Sequence, residues 1–132
     1  MKLLFGYLAV AIAVFGAPGR YFEENLGQAG QHGREVQYLA STGGYQVYFT
    51  GREVIWPGSA AGAVRLRFEG SAGNARWQAA GAQTGAISYA LGNDRSQWVR
   101  GARQFERIAW KGVYPGIDAE FYWNGDRLEY DL

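Results

Sequence analysis

The last sixteen residues constrain the fold more than any other part of this chain. Ile117, Ala119, Phe121 and Trp123 alternate with Asp118, Glu120 and Tyr122; after Asn124-Gly125, Leu128, Tyr130 and Leu132 alternate with Arg127, Glu129 and Asp131. A period of two is the mark of a strand buried on one face. Asn-Gly is a strong two-residue hairpin signal, because both residues accept positive φ. Placing Asn124-Gly125 at the centre of the turn sets Trp123 against Asp126, Phe121 against Leu128, Ala119 against Tyr130 and Ile117 against Leu132. One face of the hairpin is then wholly apolar, so the register is consistent with its burial.

The same register raises an electrostatic problem. It sets Asp118 opposite Asp131 and Glu120 opposite Glu129, and like charges across a strand pair destabilise it. Arginines of a neighbouring strand, with Arg65 and Arg67 as candidates, are the simplest offset. Calcium held by Asp118, Glu120, Glu129 and Asp131 is the functional alternative, since clustered carboxylates suit a hard cation. A paired-carboxylate glycosidase is the third reading.

The rest of the chain carries the same β signature. The 20 glycines punctuate short runs rich in valine, tyrosine, phenylalanine and tryptophan, a pattern of strands and turns. Val64, Leu66 and Phe68 alternate with Arg65, Arg67 and Glu69. Residues 34–40 and 45–50 read as a hairpin turning at Thr42-Gly43-Gly44. Residues 53–56 form a further short strand closed by Pro57-Gly58, while residues 75–78 and 105–110 are weaker strand candidates. Pro115-Gly116 signals a type II turn. Residues 59–63 and 79–86 are small-residue segments that read as loops, with a short helix as an alternative around Ala79. The expected fold is all-β, an antiparallel β-sandwich or open barrel with glycine-rich turns.

The N-terminus adds the compartment. Met1-Lys2 is followed by an apolar stretch over residues 3–15, then Gly16, Ala17, Pro18 and Gly19, the three-part pattern of a signal peptide. We therefore expect a leader over residues 1–17 and a β domain over 18–132, exported to the cell surface or medium. The apolar stretch is short for a bilayer span, which needs roughly 20 residues. One of the 13 basic residues leaves with the leader, so basic and acidic residues balance at 12 each. That argues against nucleic-acid binding, which usually shows a basic surplus or stripe. The chain has no cysteine, so disulfides cannot supply stability and a packed aromatic core must.

Several segments, taken in order, carry a family resemblance: Phe22-Glu23-Glu24-Asn25-Leu26-Gly27-Gln28, Val64-Arg65-Leu66-Arg67-Phe68, Ser88-Tyr89-Ala90-Leu91-Gly92-Asn93-Asp94 with Trp98 close behind, Val113-Tyr114-Pro115-Gly116-Ile117-Asp118, and Arg127-Leu128-Glu129-Tyr130-Asp131. Their order and spacing resemble the N-terminal domain of large exported bacterial proteins that carry SBBP-type β-propeller repeats. The resemblance implies an all-β domain of unknown function, the front part of a longer protein, with no catalytic residues to carry over.

The inventory of reactive groups points away from an enzyme. His32, the single histidine, sits among glycines in a loop-like stretch, and no serine lies in a Gly-x-Ser-x-Gly elbow. One histidine without cysteine does not suit zinc. No cofactor is expected. Gly92-Asn93-Asp94-Arg95-Ser96 reads as a turn built on Asn and Asp side-chain bonds to backbone N–H groups. The 5 tryptophans and 9 tyrosines are read first as core and cross-strand packing. A polysaccharide platform using Tyr122, Tyr48 and Trp98 is the alternative. The expected role is a non-enzymatic structural or interaction domain with a protein or polysaccharide partner.

Overall fold

The computed structural model describes residues 20–30, 35–41, 46–58 and 62–132. The leader, His32 and the turn at Thr42-Gly43-Gly44 lie outside them. The strands are β1 (Phe22–Glu24), β2 (Val36–Ser41), β3 (Gln46–Thr50), β4 (Val54–Trp56), β5 (Val64–Leu66), β6 (Arg76–Tyr89), β7 (Val99–Tyr114), β8 (Ile117–Asn124) and β9 (Arg127–Asp131). They form one nine-stranded sheet in the order β5-β4-β3-β2-β1-β7-β8-β9, with β6 also paired to β7. Every pairing is antiparallel. The sheet curls into a half barrel, the open-barrel form of the expected all-β fold.

The final hairpin forms, but its register differs from the expected one by two residues. Asn124 pairs with Arg127, Trp123 with Leu128, Phe121 with Tyr130 and Glu120 with Asp131. The cause is local to the turn. Gly125 takes φ +60°, and no non-glycine among the described residues has positive φ. Asn124 therefore cannot occupy a position that needs positive φ, and the turn centres on Gly125-Asp126, with glycine first as a type II′ turn requires. Because the shift is even, the apolar residues keep their face.

One expectation about the middle of the chain fails: residues 79–86, read as a loop or short helix, belong to β6. The weaker strand candidates do form strands, residues 76–78 at the start of β6 and residues 105–110 at the centre of the 16-residue β7. Alanine and glycine give β6 no strand propensity of its own; its ladder with β7, from Arg76↔Lys111 to Tyr89↔Val99, supplies the backbone partners instead. β7 hides its period because it is buried at Ala102 and Phe105, positions on opposite faces of a strand. It bridges the molecule, pairing β1 at Gln104 and Phe105 and β8 from Arg107 to Tyr114.

The core lies inside the curl. Phe49, fully buried, stands between Phe22, Trp77 and Phe121, with ring centroids 5.5, 5.5 and 5.3 Å away. Val47, Val54, Ile108, Trp110 and Val113 close around them. Within the first motif Phe22 reaches this core, whereas Leu26 is exposed. Val64 is likewise exposed, so the inward face of its segment rests on Leu66 and Phe68. A smaller cluster of Ala29, Val36, Leu39 and Tyr48 forms apart from the main one.

Candidate functional site

The four carboxylates of the last hairpin do not converge. Asp118 lies beside a bulge in β7, where the register shifts between Trp110 and Tyr114. There it accepts a hydrogen bond from the Lys111 ammonium and another, 2.7 Å long, from the Gly112 N–H. Gly112 has φ +65°, the backbone state that glycine adopts at a bulge. The Lys111 hydrogen bond, reinforced by Gly112, lowers the pKa of Asp118. Glu120 lies 3.9 Å from Arg107. Glu129 faces Arg127 at 3.5 Å and accepts from the Asn124 amide. Asp131 accepts from the Tyr122 hydroxyl at 3.0 Å, which raises the tyrosine pKa.

The register correction removes the expected Asp118–Asp131 and Glu120–Glu129 pairs: Glu120 faces Asp131, and Tyr122 faces Glu129. The compensating cations come from Arg107 and Lys111 on β7 and from Arg127 on β9 itself, not from Arg65 and Arg67. Those two arginines both bind Glu53. Burial alone would raise the Glu53 pKa, but the Arg67 hydrogen bond and both guanidinium charges outweigh it, and the pKa is lowered. Among the described residues no group of three or more histidines, aspartates or glutamates is placed to hold a metal ion.

A buried carboxylate was missed by the sequence reading. Glu23 on β1 is only 8% exposed. Its oxygens accept from the Tyr89 hydroxyl at 2.7 and 2.9 Å and from the Gln28 side-chain amide at 2.7 Å. Burial raises the Glu23 pKa, and the hydrogen bonds from Tyr89 and Gln28 offset this only in part. The Tyr89 pKa is raised in turn by burial and by its bond to Glu23. The adjacent Glu24 behaves oppositely: its carboxylate accepts from the Arg103 backbone N–H at 3.0 Å and from its guanidinium at 3.0–3.2 Å. The Arg103 side-chain hydrogen bond dominates, and the Glu24 pKa falls. Gln28, five residues on, was the one local signal for this cluster; Tyr89 is 66 residues away.

The three candidate rings lie on separate elements. Tyr48 is buried, its hydroxyl donating to Gln46 at 2.9 Å. It lines a cleft of about 480 Å³ with Glu35, Ile55, Pro57 and Arg65. Tyr122 belongs to β8. Trp98 follows a short 3-10 turn (Arg95–Gln97), whose Asp94 cap accepts from the Ser96 N–H at 2.9 Å, as the expected turn chemistry requires. The Arg95 and Arg100 guanidiniums lie 5.4 and 6.0 Å from the Trp98 ring centroid.

The ends of the sheet present a different kind of surface. β5 and β9 terminate the strand order, so each has one edge without a strand partner among the described residues. Val64 at one end is 66% exposed; at the other, Tyr130 and Leu132 are 43% and 67% exposed. Tyr130 is continuous with the core, stacking on Phe121 at 5.3 Å and meeting Phe68 edge-on at 5.7 Å.

These features define an antiparallel β domain with an aromatic core and an open-ended sheet. The chain belongs to the family described as "Domain of unknown function (DUF7948)", whose model matches residues 22–132. No curated protein and no solved structure matches the chain. Among the described residues no helix is long and apolar enough to cross a membrane.

Proposed function

We propose that this domain is a non-enzymatic interaction module of an exported bacterial protein, lying ahead of a β-propeller-repeat region and docking through the ends of its sheet. The leader pattern at residues 1–17 supports export, and the ordered motifs from Phe22 to Asp131 support the propeller context. The observation that carries the docking role is the pair of edges, β5 and β9, that have no strand partner among the described residues and bear exposed apolar side chains. A sheet edge is a template for strand addition unless something covers or blocks it.

A photo-crosslinking residue at Val64 or Leu132 of the exported protein should capture a neighbouring polypeptide, while one at Asn93, in the exposed turn, should not. Crosslinks at Asn93 with none at either edge would overturn the reading. The cleft over Tyr48 favours polysaccharide as the alternative partner, since its lining joins an aromatic ring to charged side chains. Loss of polysaccharide retention in a folded Tyr48→Ala variant would support that alternative.

A further inference from the structure

Resting on the docking role just proposed, we infer that the two edges recognise each other between copies of this chain, β5 of one molecule adding to β9 of the next. The side chains of the two edges are complementary on both faces. On β5, Leu66 pairs with the fully buried Val54 and so faces the core, while Arg65 pairs with Ile55 and points to the outer face, where Arg67 follows it. On β9, Leu128 and Tyr130 continue the core face beside Trp123 and Phe121, while Arg127, Glu129 and Asp131 stand outside beside Asn124, Tyr122 and Glu120, a face that is acidic on balance. Joining β5 to β9 extends the apolar face from one molecule to the next and sets arginines against carboxylates on the other.

Charge disfavours the two symmetric pairings. Pairing β5 with β5 opposes Arg65 and Arg67 to their own copies, and pairing β9 with β9 keeps Glu129 against Glu129 even in the antiparallel register that lets Arg127 meet Asp131; like charges across a strand pair destabilise it. The charges of β5 and of Asp131 also remain available, whereas Glu129 lies 3.5 Å from Arg127. Arg65 and Arg67 share the single carboxylate of Glu53, and their side chains are 49% and 62% exposed. Asp131 is held by the neutral Tyr122 hydroxyl. β5 spans only three residues, so the contact is small, and interfaces of that class are weak and reversible. It is also heterologous, which extends into chains unless a ring closes.

Sedimentation of the mature protein across a concentration series tests this. The wild type should show a rise in mean mass with concentration, and salt near ~1 M should suppress it by screening. R65E/R67E and E129R/D131R should each stay monomeric, and an equimolar mixture of the two should associate again, because acidic β5 edges then meet basic β9 edges. Leu132→Asp, at an exposed position outside the core, should also abolish association while leaving the circular dichroism spectrum unchanged. A wild type that stays monomeric at millimolar concentration overturns the inference, as does a mixture of folded variants that fails to associate. If the wild type is monomeric yet crosslinks at Val64 and Leu132 capture a different protein, self-recognition fails and the docking role stands. If neither edge yields a crosslink, both fail.

Discussion

The Tyr89 hydroxyl lies within hydrogen-bond reach of both carboxylate oxygens of Glu23, at 2.7 and 2.9 Å, and so ties the last residue of β6 to the central strand β1. Gln28 completes the set, so these partners of a buried acid are neutral.

Glu23 should therefore oppose the usual acid lability. Folding raises its pKa above the ordinary value of 4.5. Its contribution to stability is fully present below that value and is lost as pH rises through the native one. Glu24 and Glu53, with lowered pKa values, contribute stability at neutral pH that is lost as pH falls. Glu23→Gln removes the opposing term. Its stability relative to wild type, from urea unfolding, should be more favourable near ~pH 7 than near ~pH 4. A difference that does not change with pH would show that Glu23 titrates normally.

Tyr89→Phe takes one donor from that carboxylate. Leaving a buried acceptor short of a partner costs about 1–3 kcal/mol, and the loss should be larger at neutral pH than in acid, where Glu23 is protonated. Urea unfolding at both pH values measures it.

Phe49 is fully buried and touches three other rings, Phe22, Trp77 and Phe121. Phe49→Ala should cost about 3–5 kcal/mol, read as a fall in the denaturation midpoint. Trp98→Ala, outside both core clusters, should cost far less.

Calcium should not stabilise the domain. Asp118 is engaged by Lys111 and Gly112, and Glu120 lies beside Arg107, so the hairpin acids do not form a shared cage. Melting temperature in millimolar calcium should match that in chelator. A clear upward shift would restore the metal reading of Asp118, Glu120, Glu129 and Asp131.

The faces of the last hairpin were legible because apolar and polar residues alternate along both of its strands, around the buried Ala119 and Phe121. Its register was not, because that depends on which turn residue takes positive φ, and only the backbone shows this to be Gly125. β6 was illegible over residues 79–86 because β7, not local propensity, makes it a strand. The acids of the hairpin were seen, but two of their cations, Arg107 and Lys111, lie on a strand whose bulge at Gly112 obscures its pattern. Glu23 escaped notice because Tyr89 reaches it only through the tertiary fold.

Amide hydrogen exchange of the dilute domain, residues 18–132, tests the open sheet most directly. Among the described residues β7 pairs with β1, β6 and β8, and β9 pairs only with β8. The outward amides of residues 127–131 should therefore exchange at least about 100-fold faster than those of residues 105–110, since amides at open edges escape without global unfolding. Protection of residues 127–131 equal to that of β7 would mean that the edge is already covered, and would contradict the account.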